Sequence, residues 1–179
     1  MKNRPDGFLL LDKPSDITSF TALNTIKKRF GTKKVGHAGT LDKFAEGLLL
    51  ALIGKMTKAS GYVMELAKEY RGRILFGIET DTLDPEGVSV GTSDHIPDIR
   101  ELETVIKGFA GPLEQVPPRY SAVHVGGVRA HRLAREGKEV PLTARQVHIH
   151  EIELLSCDPP YAEIRVVCSK GTYIRSLAR

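Results

Sequence analysis

One carboxylate stands out among the polar residues of this 179-residue chain, because it lies in a loop that is rich in glycine. Residues 36–49 contain Asp42, with Gly39 before it and Gly47 after it. Glycine permits a positive φ and a close approach of the backbone. A carboxylate that stays ionised and is partly shielded from water can act as a nucleophile or as a general base. Taken alone, the local spacing favours an Asx turn or a helix N-cap over catalysis.

Two further segments carry aromatic and cationic side chains at the ends of predicted elements. Tyr70 begins a predicted strand, and its ring can stack on a nucleic-acid base. Tyr173 and Arg175 lie where a strand passes into a predicted helix, and a guanidinium is a natural partner for a buried carboxylate. Each residue also fits a structural role, as a core aromatic or as an arginine at an ordinary helix start, and taken alone that role is favoured.

Positive charge is concentrated in two clusters, although the net charge of +4 is mild. The first cluster comprises Lys27, Lys28, Arg29, Lys33 and Lys34. The second comprises Arg129, Arg132, Arg135 and Lys138. Clustered lysine and arginine attract phosphates through counterion release. Because the two clusters lie before and after the candidate residues Asp42 and Tyr70 in the sequence, they favour a nucleic-acid partner over a merely solvated surface.

The N-terminal pattern and the cysteine content argue against secretion and against a membrane span. Asp12 and Lys13 interrupt the apolar run 8–11 after four residues, which is too short for a signal peptide or a transmembrane helix. Cys157 and Cys168 are the only cysteines and are not in a C-x-x-C arrangement. We interpret them as reduced, buried thiols and expect a cytoplasmic protein.

Nucleotide and metal sites are not indicated. Gly54 and Lys55 resemble the end of a P-loop, but the first glycine and the final hydroxyl residue are missing. Residues 80–87 lack the spacing of a calcium loop, and we interpret them as a structural turn. His148 and His150 share a strand face without a third ligand nearby in sequence, so zinc is not expected.

The hydrophobic pattern predicts a mixed α+β chain with an antiparallel-rich sheet, because strands and helices do not alternate strictly. The predicted strands cover residues 8–11, 70–77, 147–155 and 162–168, with a hairpin over 121–128. The predicted helices cover residues 18–30, 45–53, 57–66, 98–110 and 129–136, with a last helix from 171 onward. The helix over 45–53 would begin directly after the loop that carries Asp42, and Glu46 would lie one helical turn further on.

Taken together, these segments resemble the TruB family of tRNA pseudouridine synthases, which isomerise uridine 55 in the T-loop. The matching segments are residues 11–14, 36–49, 68–87, 115–122 with 133–137, and 170–179. Five matches in family order outweigh the structural interpretation that each segment has on its own. One position departs from the family pattern: Lys43 stands where the family usually has proline.

The resemblance implies the pseudouridine synthase catalytic fold, a mixed sheet flanked by helices with a catalytic cleft. It implies that residues 1–179 form this one catalytic domain, cut short at its C-terminal end. The PUA-like RNA-binding domain that follows in the family is then absent, and weaker RNA binding is expected.

The resemblance also implies roles for individual residues. Asp42 starts the reaction by attack on the sugar, by attack on the base or by abstraction of a sugar proton. Tyr70 stacks on the flipped-out base and is available for proton transfer, and Arg175 pairs with Asp42 and keeps it ionised. The implied substrate-binding positions are Lys13, which braces the loop, His37, which fills the space left by the uridine, Gly39, Thr40, Leu41 and Tyr173. The RNA backbone is expected to contact Lys27, Lys28, Arg29, Lys33, Lys34, Arg129 and Arg132.

The implied partner is the T-stem-loop of tRNA, bound by a monomer without a protein partner. No metal or organic cofactor is needed, because the isomerisation is redox-neutral and uses acid–base and covalent chemistry. Two alternatives stay open. One is a fragment that binds the T-arm without catalysis. The other is a nucleoside hydrolase, which generally needs two carboxylates that flank the bond, whereas only Glu46 lies near Asp42 in sequence.

Overall fold

The structure, a computed structural model, describes residues 5–179, and these divide into two units, the first ending at Leu66 and the second comprising Ala67–Arg179. The first unit contains one three-stranded antiparallel sheet with strand order β1-β3-β2. Its elements are β1 (Gly7–Lys13), α1 (Ser19–Phe30), β2 (Val35–His37), β3 (Gly47–Ile53), a 3-10 helix (Gly54–Ala59) and α2 (Ser60–Met64). Leu23 and Ile26 of α1 pack with Leu49 and Ala51 of β3 to form the core of this unit.

Local capping signals determine where α1 begins and ends. The Thr18 side chain accepts a hydrogen bond from the backbone N–H of Thr21, which satisfies one of the free donors at the helix start. Gly31 ends the helix with a φ of 58°, a left-handed conformation that favours glycine. Both ends agree with the sequence prediction.

The helix predicted over residues 45–53 is wrong, because Gly47–Ile53 forms strand β3. This strand is central in its sheet, with β1 on one side and β2 on the other. A continuous apolar run of seven residues is compatible with a buried strand as well as with a buried helix, and periodicity does not separate the two. Asp42 and Glu46 therefore both precede a strand, and they are not separated by one helical turn.

The helix predicted over 57–66 is right only in part. It begins at Gly54 as a 3-10 helix, and only Ser60–Met64 is α-helical.

The second unit is built on a four-stranded antiparallel sheet with strand order β4-β11-β10-β7. Its elements are β4 (Lys68–Leu75), β5 (Ile78–Thr80), β6 (Ser89–Thr92), α3 (Ile99–Lys107), β7 (Gly111–Gln115), β8 (His124–Val125), β9 (Val128–Arg129), α4 (Ala130–Arg135), β10 (Arg145–Asp158), β11 (Tyr161–Cys168) and α5 (Ile174–Ala178). Strands β5 and β6 form one hairpin, and β8 and β9 form another. The predicted α+β class with an antiparallel-rich sheet is confirmed.

Two hydrophobic clusters stabilise the second unit. In the larger cluster, Ile164 and Val166 of β11 pack with Ile149 of β10 and Leu177 of α5. The smaller cluster surrounds α4 and includes Val123, Ala130, Ala134 and Val140, with Tyr173 packed against it.

No helix within residues 5–179 is long and apolar enough to cross a membrane. In the same range, no three histidine, cysteine, aspartate or glutamate side chains are grouped so that they could hold a metal ion.

Candidate active site

Asp42 lies in an irregular loop between β2 and β3, in the first unit. The loop starts with a hydrogen bond from Ala38 N to Leu50 O of 3.0 Å. Gly39 has a φ of 106°, and its carbonyl oxygen accepts from His37 Nδ1 at 2.5 Å. The loop runs into a strand, so the interpretation of Asp42 as a helix N-cap is wrong. The half-buried Asp42 side chain is thus carried by a turn whose start is tied to the sheet.

The residue before Asp42 is held by Ser19, the first residue of α1. The Ser19 hydroxyl accepts from Leu41 N at 2.9 Å and donates to Leu41 O at 3.0 Å. Ser19 is 2% exposed, so water does not compete for these bonds. No local sequence pattern marks Ser19 as a site residue, because its partner lies 22 positions away.

The residue after Asp42 is held by Lys13, which is 0% exposed. Lys13 is the last residue of β1 and lies opposite Gly47, so the sheet register brings it next to the loop. Its ammonium group donates to the carbonyl oxygen of Lys43 at 3.2 Å. It also donates to those of Pro14 and Ile17, at 2.9 and 2.8 Å, so that all three of its donors are used.

Lys13 is also electrostatically coupled to the loop. Burial lowers the pKa of Lys13 below its ordinary value, because the charged form loses its hydration. The carboxylates of Asp16, Asp42 and Glu46 act against this lowering of the pKa. The bond to Lys43 is compatible with the bracing role expected for Lys13, and that role stays a prediction.

Arg175 lies in the second unit, at the start of α5, and its side chain is 8% exposed. Its Nη1 lies 3.1 Å from Asp84 Oδ2 and donates to Thr82 O at 2.8 Å. Its Nη2 donates to Tyr120 O at 3.0 Å. Within this unit Arg175 pairs with the carboxylate of Asp84, a residue of the predicted structural turn 80–87. The pairing of Arg175 with Asp42 stays a prediction.

The turn that carries Asp84 is itself held by threonine hydroxyls. Thr80 Oγ1 donates to Asp84 O at 2.8 Å and accepts from Asp84 N at 3.1 Å. Thr82 Oγ1 donates to the Asp84 carboxylate at 2.7 Å. Leu83, between them, has a φ of 58°, which is strained for a residue with a branched side chain. The sequence signal for this site was the T-D-T-L-D segment, which was predicted as a structural turn and lies in the family-matching segment 68–87.

Tyr173 and Tyr70 also lie in the second unit. Gln115, which is buried, accepts from Tyr173 N at 2.8 Å and donates to Tyr173 O at 3.1 Å. Tyr70 lies on β4 opposite Val166 and is partly buried against the larger cluster, as is Ile174 of α5. Tyr173 directly precedes α5, the helix that carries Arg175, and Tyr70 packs against the same hydrophobic cluster as Ile174 of that helix. The contacts of both tyrosines with RNA stay predictions.

The two basic clusters differ in how many of their charged side chains already form ion pairs with glutamate and so are less able to bind phosphate. Lys27, Lys28 and Arg29 occupy the last turn of α1, and Lys28, Arg29, Lys33 and Lys34 are exposed. Lys27 lies over the ring of Phe20, with Nζ 4.1 Å from the ring centroid.

In the second cluster, Arg129 is exposed, whereas Arg132 pairs with Glu136 at 3.2 Å. Lys138 pairs with the same glutamate at 2.7 Å. We therefore expect Arg129 to be the more available of the two arginines predicted to contact RNA.

The structure distributes the predicted site residues over the two units. In the first unit, Lys13 contacts the loop, and His37 leads into it. Gly39, Thr40 and Leu41 are part of the loop itself, together with Asp42. Tyr70, Tyr173 and Arg175 belong to the second unit.

A family model described as "TruB family pseudouridylate synthase (N terminal domain)" matches residues 27–174. The protein named tRNA pseudouridine synthase B from Borrelia garinii subsp. bavariensis is 48% identical over 176 residues, which are 97% of this chain and 62% of that protein. The protein of the same name from Ehrlichia chaffeensis is 45% identical over 175 residues, or 97% of this chain and 59% of that protein. The chain thus spans about three fifths of the length of these curated relatives.

Two solved structures share the fold. The crystal structure of a Cbf5-Nop10-Gar1 complex contains a chain that is 28% identical, with a TM-score of 0.71, over 96% of this chain and 42% of that one. The structure of an H/ACA RNP bound to a substrate RNA containing 2′-deoxyuridine contains a chain that is 25% identical, with a TM-score of 0.68, over 96% of this chain and 40% of that one. These similarities cover both units of the chain.

Proposed function

The chain belongs to the TruB family of pseudouridylate synthases, and on this premise we propose that it isomerises uridine 55 to pseudouridine in the T-loop of tRNA. One observation carries the assignment of Asp42. Its two neighbours in the chain, Leu41 and Lys43, are each hydrogen-bonded through the backbone to a buried polar side chain, from Ser19 and from Lys13. Such support preorganises a loop carboxylate for reaction, because the group then loses little freedom when substrate binds.

In the proposed reaction, the target uridine flips out of the T-loop, since its glycosidic bond is not accessible within the stack. Asp42 initiates cleavage of the C1′–N1 bond. The uracil turns while it is held, C5 bonds to C1′, C5 loses its proton to a base, and N1 gains a proton. Atoms and oxidation states balance without a second substrate, so acid–base and covalent chemistry suffice.

We assign the remaining site residues around this step. Tyr70 stacks on the flipped base, and Tyr173 packs against the uracil. Arg175 keeps Asp42 ionised through an ion pair, and it is itself oriented by Asp84, whose carboxylate lies 3.1 Å from its guanidinium.

The RNA backbone binds the exposed basic side chains of residues 27–34 together with Arg129. Such contacts are electrostatic, so binding weakens as the salt concentration rises. Arg132 contributes less, because Glu136 already neutralises part of its charge. We propose residues 1–179 as the catalytic part, acting as a monomer.

The experiment is a turnover assay on a T-stem-loop RNA, with pseudouridine detected by chemical derivatisation and mass spectrometry. Asp42→Asn keeps the shape of the side chain and removes its charge. We expect turnover to fall by at least about 100-fold, the lower range for loss of a group that transfers a proton. Asp12→Asn is the matched control, because Asp12 is exposed on β1 in the same unit, and it should turn over like the wild type.

Three results would contradict the proposal. Full turnover by Asp42→Asn would remove Asp42 from the reaction. Tight RNA binding by the wild type with unchanged uridine would indicate a T-arm binding protein. Release of free uracil would indicate a hydrolase.

A further inference from the structure

Ser19 makes an unusual pair of hydrogen bonds for a residue in the first turn of a helix. Its hydroxyl serves as acceptor for the N–H of Leu41 and as donor to the carbonyl oxygen of the same residue, at 2.9 and 3.0 Å. A serine hydroxyl has one proton to donate and lone pairs to accept, so one side chain satisfies both main-chain groups of Leu41.

The bond to the Leu41 carbonyl acts directly on Asp42. The carbonyl of Leu41 and the N–H and Cα of Asp42 belong to one planar peptide unit. Fixing the oxygen of this plane restricts where the Cα of Asp42 lies and which way its side chain leaves the backbone. The bond to the Leu41 N–H holds the preceding peptide unit as well.

Ser19 is a rigid anchor, because the helix that follows it is packed into the core. Ala22, Leu23 and Ile26 of α1 are buried against the sheet of the first unit. Ser19 itself is 2% exposed, so solvent does not replace its bonds. The Ser19 hydroxyl therefore links the residue before Asp42 to the buried helix α1, and Lys13 holds the residue after Asp42.

We propose that Ser19 is a positioning residue for Asp42, and that it sets the rate of the chemical step without contributing to RNA binding. This inference rests on the proposed function, because it takes Asp42 as the reacting group. Misplacement of a reacting group by about 1 Å can cost about 100-fold in rate. Loss of the Ser19 hydroxyl is therefore expected to lower kcat by about that factor and to leave KM unchanged.

The test compares Ser19→Ala with Thr18→Ala. Thr18 caps the same helix, with Oγ1 accepting from Thr21 N at 3.1 Å, and it is exposed. Its removal destabilises α1 without taking a hydrogen bond from Leu41. Both variants are assayed on the T-stem-loop RNA at a temperature well below their melting points, with kcat and KM determined separately.

A lower kcat in Ser19→Ala alone, at unchanged KM, supports the inference. Wild-type kcat in Ser19→Ala, or an equal fall of kcat in both variants, overturns it, because the effect would then be absent or would follow helix stability. A change in KM with unchanged kcat also overturns it. If Ser19→Ala does not fold, Ser19→Cys replaces it, since a thiol is a weaker donor and acceptor.

A second measurement separates this inference from the proposed function. Amide hydrogen exchange of Leu41, Asp42 and Lys43 should speed up in Ser19→Ala and stay unchanged in Thr18→Ala. If the wild type forms no pseudouridine, the proposed function fails, and the expected effect of Ser19 on kcat fails with it. This holds even when hydrogen exchange shows that Ser19 restrains the loop. If the wild type is active and exchange does not respond to Ser19→Ala, the positioning inference alone fails.

Discussion

Replacing Gly87 by alanine should disturb the turn 80–87, in which the Asp84 carboxylate orients Arg175. A Cβ atom at this position would lie 2.2 Å from Thr82 Oγ1, 2.5 Å from Asp81 Oδ1 and 3.0 Å from Thr80 Cβ. The first two distances are shorter than real side chains tolerate, so Gly87→Ala must displace Thr82 Oγ1 and Asp81 Oδ1. The displaced groups are short side chains that already hold hydrogen bonds and have little room to move.

The energetic cost follows from what is displaced. Thr82 Oγ1 donates to Asp84 Oδ1 at 2.7 Å, and Asp81 Oδ1 accepts from Val88 N at 2.9 Å. Overpacking costs about 1–3 kcal/mol, and each of the two hydrogen bonds contributes about 0.5–1.5 kcal/mol. We expect Gly87→Ala to lower the free energy of unfolding by about 2–6 kcal/mol in total. For a chain of this size the melting temperature should fall by roughly 4–24 °C.

The assay is thermal unfolding followed by circular dichroism, together with turnover on the T-stem-loop RNA. Gly91→Ala is the matched control, because its nearest contact would be Glu79 Cβ at an ordinary 3.8 Å. We expect Gly91→Ala to melt close to the wild type. Turnover should fall in Gly87→Ala, since Asp84 loses the hydroxyl that orients it toward Arg175. A Gly87→Ala protein that melts with the wild type and the control would refute the steric reasoning.

Three further predictions use other contacts. Gln115→Leu removes both hydrogen bonds to the Tyr173 backbone and should lower the free energy of unfolding by about 2 kcal/mol in urea titrations; an unchanged midpoint would contradict this. Arg165 holds the pKa of Glu69 below its ordinary value of 4.5. The resulting stability is present above that value and is lost as the pH falls through the lowered pKa. The difference in stability between wild type and Arg165→Met should therefore shrink in acid, and a pH-independent difference would exclude this cause. Asp98→Ala removes the capping box of α3 and should cost about 0.5–2 kcal/mol in thermal unfolding, whereas an unaltered melting point would show that the cap contributes little.

Where local signals are complete, the sequence predicted the elements well. Thr18 and Gly31 determine the ends of α1 through their own backbone and side-chain geometry. The hairpin predicted over residues 121–128 turns at Gly126 and Gly127, which join β8 and β9 with Val125 opposite Val128. Such features depend on neighbours within a few positions, so no tertiary information is needed to find them.

The prediction over residues 45–53 was wrong for the opposite reason. Leu49, Ala51, Leu52 and Ile53 are all buried, so the segment has no polar face to reveal its period. Its strand conformation follows from pairing with β1 and β2, which lie elsewhere in the sequence. A segment that is buried on both faces is assigned by its partners and not by its own pattern.

The sequence does not reveal the hydrogen-bond partners of the site residues, because these partners lie far away along the chain. Ser19 bonds to a residue 22 positions away, Gln115 to one 58 positions away, and Arg175 to a carboxylate 91 positions away. A serine after a threonine at a helix start looks like an ordinary capping pair. Asp84 looks like an ordinary turn residue, because its threonine neighbours explain it locally.

The sequence by itself determined which residue types are available for chemistry and, through five ordered motifs, to which family the chain belongs. Those properties lie in the order of side chains along the backbone. Only the tertiary structure decided that Ser19 and Lys13 hold the two neighbours of Asp42, and that Asp84 is the carboxylate bonded to Arg175 within the second unit. The physical reason is that a hydrogen bond requires two groups within about 3 Å of each other, and for residues far apart in the chain that distance is set by how sheets and helices pack.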